Sequence, residues 1–416
     1  MTASKKQIVI LGGGFAGIYS ALSILKACGD SVEITIVNRT NYFLFTPMLH
    51  EVATGGLGHY QVVESIREIV YRTPIRFFEA SILSVDLAKK EVVTDQGSKP
   101  YDMLVVALGA STNYFGTEGA EEHVFVLKDL LNAINIRNHV IDRFEAASHE
   151  TDSEKRKKIL SFVVVGGGAT GVEYAAELVE FAKRTLHRYY RRDFKKGECA
   201  TITLVHSGKV LLGQFSPATQ ARALKSLSKK GVKVLLNTKV EKVAADHVVL
   251  SGGERIETET VVWAAGVHPN QLAISGGEFP KGASGRILSD ATLRVQGMLD
   301  VFAIGDNAHV LKGDGKPYPM LAQIAVAEAK HLGQNVMRTI EAKELVPFAY
   351  KEMGSLVSLG KWEAAGTIAG IEIYGTFAWF IWRTVYLFKF ISKSKRLKIA
   401  MDWTVGLFFP RDITQA

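Results

Sequence analysis

Six glycines carry the clearest chemistry in this 416-residue chain. Gly12, Gly14 and Gly17 follow the short apolar run QIVILG and open the helix-like run GGGFAGIYSALSILKAC. Gly166, Gly168 and Gly171 repeat that arrangement 154 positions later, between ILSFVVV and GGGATGVEYAAELVEFAKR. In G-x-G-x-x-G spacing the first glycine permits a tight turn, the second lets a pyrophosphate approach the backbone, and the third lets the helix pack closely on its sheet. The helix N-terminus then presents free N–H groups to phosphate. One such motif is a weak signal. Two copies, each between a strand and a helix, predict two dinucleotide sites.

Other residues fall where such sites need them. The strand EITIVN ends at Asn38, a candidate ribose contact, with Arg39 beside it. YDMLVVALGAST and ETVVWAAGVHPN end buried strands in small-residue turns, which makes Gly109 and Gly266 candidates for close backbone approach. In VFAIGDNA, Gly305 precedes Asp306, whose carboxylate could bind a ribityl or ribose hydroxyl and cap a following helix. Glu173 is expected in the first turn of the second glycine helix, where the helix end stabilises an anion, with Glu177 one turn later.

These loops require an α/β scaffold: two Rossmann-like dinucleotide-binding domains and a C-terminal amphipathic region. The boundaries expected are 1–115 and 266–340 for the two parts of the first domain, 116–265 for the second, and 341–416 for the C-terminal region. In that region VSLGKWEAAGTIAGIEIYG predicts hairpin strands, and one amphipathic helix follows. Phe377, Trp379, Phe380, Ile381, Trp382, Tyr386, Leu387, Phe388 and Phe390 crowd into it. Residues 376–400 hold six Lys or Arg and no Asp or Glu. Such a helix suits a bilayer interface with anionic lipid, or alternatively packing on the body of the protein or in a homodimer. Arg383 and Lys389 could meet headgroups or stand as surface charges.

The net charge of +8 fits an anionic membrane surface or anionic nucleotides as well as nucleic acid. The basic block RTLHRYYRRDFKKGE at 184–198 lies between a dinucleotide-domain helix and its next strand. It therefore reads as a solvated or membrane-facing insertion, with no nucleic acid as partner. Cys28 and Cys199 are too few and too far apart for a CxxC pair or a Cys-ligated metal, and are expected to be structural thiols; no metal site is predicted. MTASKKQIVI has no signal peptide of the usual build, which points to an intracellular face. No run of 18 uncharged apolar residues predicts a transmembrane helix.

The order of these motifs resembles the type II NADH:quinone oxidoreductases, the non-proton-pumping NADH dehydrogenases of the two-dinucleotide-binding-domain flavoprotein superfamily. The similarity runs from Gly12 to the terminal FFPRDI, with NYFLFTPMLHEVATG at 41–55 and AQIAVAE at 322–328 as the most telling local matches. The resemblance implies FAD as cofactor, NADH or NADPH as substrate, and a membrane quinone as acceptor. It implies hydride transfer to the flavin followed by delivery of two electrons to quinone, without proton pumping.

The resemblance further places Pro47 and Leu49 near the flavin ring and Glu173 near the nicotinamide and the flavin. It places Gln323 on the quinone side, where it could also touch the flavin. Ala322, Gln323 and Ala325 match the family's AQxAxQ, while Ala327 stands where the last glutamine belongs and leaves the acceptor pocket less polar. His206 ends the strand ATITLVH at the adenosine ribose position, where NADH-selective members usually carry Glu. Histidine neither repels a 2′-phosphate nor binds a 2′-hydroxyl strongly, and Lys209 could attract a phosphate. NADH and NADPH thus both stay open. His59 is expected to be an ordinary loop histidine, and His50 to pack beside the flavin loop. The expected location is peripheral on a membrane, at its cytoplasmic or equivalent face. The alternatives are a demethylphylloquinone or other naphthoquinone reductase of the same family, or a flavoprotein reductase or sensor with a protein acceptor.

Overall fold

The computed structural model describes residues 5–195 and 197–415, which form two compact units. The first takes the chain up to Leu44, Glu64–Ser111 and Val267–Lys351; the second takes Phe45–Val63, Thr112–Gly266 and the chain from Glu352. The segment Phe45–Val63, expected within the first domain, packs with the second unit.

In the first unit a five-stranded parallel sheet has the order Val301–Ala303, Met103–Val106, Lys6–Leu11, Val32–Asn38, Arg76–Glu79. Ile8, Val9, Ile10 and Leu11 are all buried, because a central parallel strand is covered on both faces and takes an unbroken apolar run. The first glycine helix, Phe15–Cys28, packs against the long helix Ala322–Ile340. Gly333 permits the approach, since any Cβ there would press on the Ser23 backbone. An antiparallel sheet, Ala273–Ser275, Ile82–Asp86, Glu91–Thr94 and Gly97–Pro100, accompanies the parallel one.

The second unit repeats this plan. Its parallel sheet runs Phe125–Val126, Thr260–Trp263, Ser161–Val165, Thr201–Val205, Val232–Leu235. Its antiparallel sheet is Val240–Val243, His247–Leu250, Arg255–Glu257. The second glycine helix, Ala169–Glu180, continues through a π-helical turn, Phe181–Leu186, into His187–Tyr190. In the basic block Arg184, Arg188, Arg191 and Arg192 are exposed, whereas Tyr190 and Phe194 are buried and the Tyr190 hydroxyl donates to Glu145 at 2.6 Å. The aromatic rings anchor this insertion and leave its charges in solvent.

The C-terminal region contributes a three-stranded antiparallel sheet, Gly354–Ser358, Ala364–Ile368 and Ile371–Tyr374, and then two helices instead of the single one expected. The first, Gly375–Lys389, ends at the extended Phe390; the second, Lys393–Phe408, begins at Ser392, whose hydroxyl caps the Lys395 amide. Trp379, Trp382, Phe390 and Trp403 are buried, while Phe377, Phe388, Met401 and Phe408 are exposed. Among the described residues no helix is long and apolar enough to cross a membrane.

Candidate functional site

The two glycine loops have the same construction. Gly12 (φ +111°) and Gly166 (φ +119°) take backbone conformations that L side chains rarely adopt. A Cβ on Gly12 would strike the Ala107 carbonyl, and one on Gly166 the Ala264 carbonyl. Gly17 and Gly171 sit against the carbonyls of Gly12 and Gly166, so a side chain at either would overlap backbone. Gly14 and Gly168 differ from these: a Cβ on either would meet nothing within 4 Å. Each is the N-cap of its helix, with no side chain capping it and no acidic residue in the first turn. The space over both helix ends is therefore free for an anion, and free N–H groups line it.

The side chain at the end of the next strand closes each loop. Asn38 Oδ1 accepts from the Gly13 amide at 2.9 Å, and its Nδ2 donates to the Thr40 carbonyl at 2.8 Å. His206 Nδ1 accepts from the Gly167 amide at 3.2 Å, which fixes the neutral ring with its proton on Nε2; burial holds its pKa below the ordinary histidine range. Arg39 and Lys209 are exposed beside these residues.

Around the first loop, Gly109 (φ +71°) donates its amide to Asn307 Oδ1 at 2.8 Å, and Gly305 (φ +65°) donates to Glu328 Oε2 at 2.6 Å. Asp306 lies in a single 3-10 turn, Gly305–Asn307, followed by a strand. The helix it was expected to cap is absent there, because the chain turns back into sheet pairing at Ala308. Glu328, which the sequence did not single out, is 2% exposed, and burial with Asp306 nearby pushes its carboxyl up to about 8. Gln323 is the second residue of helix Ala322–Ile340, half-buried, with Ala327 one turn along the same face. In the second unit the Gly266 carbonyl accepts from the Asn113 amide at 3.0 Å.

Glu173 does not lie in a first turn. The helix begins at Ala169, so Glu173 is its fifth residue and gains little from the helix end. It is 7% exposed, and burial pushes its carboxyl up to about 6 against the opposing pull of His50 and the Ser358 amide. That amide donates to Oε1 at 3.0 Å, and His50 Nδ1 lies 3.8 Å from Oε2. Pro47 opens the short turn Thr46–Met48, and Leu49 is buried at the start of Leu49–Val52, the helix that carries His50 and Glu51.

Further charges gather in the same unit. Arg411 pairs with Glu177 and donates to the Thr54 carbonyl at 3.1 Å. The Trp403 indole donates to Glu51 at 3.1 Å. Arg383, expected at headgroups or on the surface, is instead half-buried, with its guanidinium 3.9 Å from the Trp379 ring centre and 4.8 Å from that of Trp403. Burial holds the Arg383 pKa below its ordinary value, while Glu51 and Glu177 act to keep its charge. Lys389 is exposed, 4.9 Å from the Tyr386 ring centre. His59 is exposed in a 3-10 turn. Cys199 is exposed too and so serves no packing role, whereas burial pushes the Cys28 thiol up to about 11.

Two dinucleotide-type loops on two repeated α/β units define the class, and the pyridine nucleotide-disulphide oxidoreductase family matches residues 6–329. The NDH2 C-terminal domain matches residues 353–412. The chain is 33% identical over 420 residues to a probable NADH dehydrogenase of Dictyostelium discoideum, covering 99% of this chain and 91% of that protein. It is 31% identical over 392 residues to the type II NADH:quinone oxidoreductase of Staphylococcus saprophyticus, covering 92% of this chain and 95% of the relative. The chain belongs to the type II NADH:quinone oxidoreductase family. In fold it is similar to the structure of NDH2 from Plasmodium falciparum in complex with NADH, with a TM-score of 0.88, 21% identity, and coverage of 99% of this chain and 100% of that one.

Proposed function

We propose that this enzyme oxidises NAD(P)H and reduces a membrane quinone by way of bound FAD. The observation that carries it is the pair of glycine loops, built alike and each open over an uncapped helix N-terminus. FAD fits the first loop: Gly12, Gly14 and Gly17 would take its pyrophosphate, Asn38 and Arg39 would face its adenosine end, and Gly109, Gly305 and Asp306 would hold the remainder. When bound, FAD supplies a carrier that accepts hydride and releases two electrons. Gly166, Gly168, Gly171 and Gly266 bind the nicotinamide nucleotide. His206 meets its adenosine ribose without a carboxylate's repulsion, so NADPH is admitted beside NADH. Glu173 orients the nicotinamide end, Pro47 and Leu49 face the flavin ring, and Gln323 lines the quinone pocket, with Ala327 leaving an apolar wall one turn away.

The C-terminal helices rest on a bilayer at the cytoplasmic or equivalent face. Exposed Phe377, Phe388, Met401 and Phe408 enter the interface, and Lys393, Lys395, Arg396 and Lys398 meet anionic headgroups. The test is anaerobic stopped-flow mixing of FAD-loaded protein with NADH or NADPH, followed by ubiquinone, menaquinone or naphthoquinone analogues. Bleaching by a nucleotide and fast reoxidation by a quinone is the expected result. Bleaching without reoxidation by any quinone would mean a protein acceptor. Sedimentation with anionic but not neutral vesicles checks the lipid surface; a concentration-dependent dimer that ignores both would mean that a second copy covers the aromatic face.

A further inference from the structure

The buried cluster of the second unit has an uneven charge count. Its carboxyls are Glu51, Glu173 and Glu177, and its guanidiniums are Arg383 and Arg411. Arg411 pairs with Glu177, and Arg383 faces Glu51 and Glu177. Burial pushes Glu51 up, against Arg383, Arg411 and the Trp403 indole. No guanidinium is assigned to Glu173. Its basic neighbour is His50, which is 2% exposed and lies 3.8 Å away through Nδ1. The opposite ring nitrogen, Nε2, is buried without a hydrogen-bond partner among the described residues. With both guanidiniums charged and the three carboxyls ionised, the cluster is one proton short of neutrality, and an uncompensated buried charge is costly.

We propose that His50 is the positioning residue for Glu173: imidazole and carboxyl share one exchangeable proton, and His50 thereby sets the pH range in which the quinone half-reaction draws on it. This rests on the quinone reading above. NADH, quinone and one solution proton become NAD+ and quinol, so each turnover must import a proton. The Glu173 O–H bond breaks as a quinol O–H bond forms, and the carboxylate left behind takes the proton on His50 Nδ1. Nε2, the free end of the ring, receives the replacement from solution. The hydride's two electrons go to the quinone, and the pair itself is neither oxidised nor reduced.

Every group facing the pair has a stated effect. Glu177 and Glu51 raise the Glu173 pKa, and the Ser358 amide and His50 lower it. Tyr386, its phenol pushed up by burial and by Glu173, stays neutral. Arg383 and Arg411 act on Glu51 and Glu177, and the Trp382 ring, 6.1 Å from that of His50, is uncharged. His50 is thus the mobile charge in the set.

The test is the reoxidation rate of the nucleotide-reduced holoenzyme by a short-chain ubiquinone and by menadione, from about pH 5 to about pH 9. The wild type is expected to show a transition near 6, where Glu173 titrates. His50→Gln keeps a neutral donor but removes the cation, so the midpoint rises by roughly one unit or more. Glu173→Gln abolishes the transition, and His50→Gln added to it changes the profile no further. Infrared titration of a buried carboxyl band that is lost in Glu173→Gln gives the same midpoint in the unmodified protein, should the histidine variant fold poorly. An unmoved midpoint in His50→Gln, a band that titrates far from 6, or a transition that survives Glu173→Gln would overturn the inference alone. A reduced wild type that ferricyanide reoxidises and no quinone does would overturn the quinone reading and the inference together.

Discussion

The two glycine loops share a backbone and differ in what closes them. In the first, Asn38 is a neutral clasp on the Gly13 amide, and the surrounding polar groups, Asn307, Asn270 and Glu328, tie the loops of one unit together. In the second, the clasp is the titratable His206, and the helix behind the loop carries Glu173, Glu177 and Glu180 inward. Backbone shape makes both loops receptive to phosphate. Side chains then suit one to a group held throughout turnover and the other to a substrate that comes and goes.

The comparison breaks most visibly at the third glycines. Gly17→Val and Gly171→Val each force a side chain onto a backbone carbonyl. Gly17→Val is expected to abolish FAD retention, read from flavin absorbance of the purified protein. Gly171→Val is expected to keep flavin but abolish bleaching by NADH. Loss of flavin from both variants alike would mean that the loops do not divide the work. Gly14→Ala and Gly168→Ala enter open space, so both should fold and weaken only their own ligand.

A second expected effect concerns the ion pair behind the second loop. Arg411→Ala leaves Glu177, 3% exposed, buried and unpaired, which costs about 3–5 kcal/mol. Adding Glu177→Gln should recover much of that loss, as followed by denaturant unfolding. Additive losses would show that the pair is not coupled.

The loops were legible in the sequence because the spacing that makes them is local. Gly12 to Gly17 and Gly166 to Gly171 act within single strand-turn-helix units, and the repeated strand order follows from that repetition. The cluster was not legible. Glu51 meets Trp403 across 352 positions and Glu177 meets Arg411 across 234, and no local pattern joins residues so far apart. Glu173 was named correctly but placed one turn too early. With the helix starting at Ala169, burial outweighs the helix end, and the carboxyl rises instead of being held down. Glu328 lay inside the recognised AQIAVAE run, yet its role depends on the Gly305 amide 23 positions away.

Nucleotide choice sharpens the comparison at the clasps. His206→Glu retains an acceptor for the Gly167 amide and introduces the charge that repels a 2′-phosphate. The ratio of kcat/KM for NADPH over NADH should fall by roughly tenfold, about 1.4 kcal/mol. Lys209→Ala should move it the same way by less. The equivalent change at the first loop, Asn38→Asp, should leave that ratio untouched, and a shift there would undo the assignment of loops to ligands.

The smallest effect expected is a pH dependence confined to the first unit. Glu328 has its carboxyl raised from 4.5 to about 8 by burial, although the Gly305 amide favours its charged form. A raised folded-state pKa means that the folded chain holds the proton more firmly than the unfolded chain. The stability this contributes is full below about 4.5 and is lost as pH rises through about 8. Above that pH the carboxylate faces Asp306 in the turn that would hold FAD. Glu328→Gln is neutral at every pH and can still accept from Gly305 through its carbonyl. Its melting temperature and flavin retention should therefore match the wild type near neutrality and exceed it above about pH 8. Parallel curves for the two proteins across that range would show that Glu328 keeps one charge state and that the Gly305 amide, not burial, decides it.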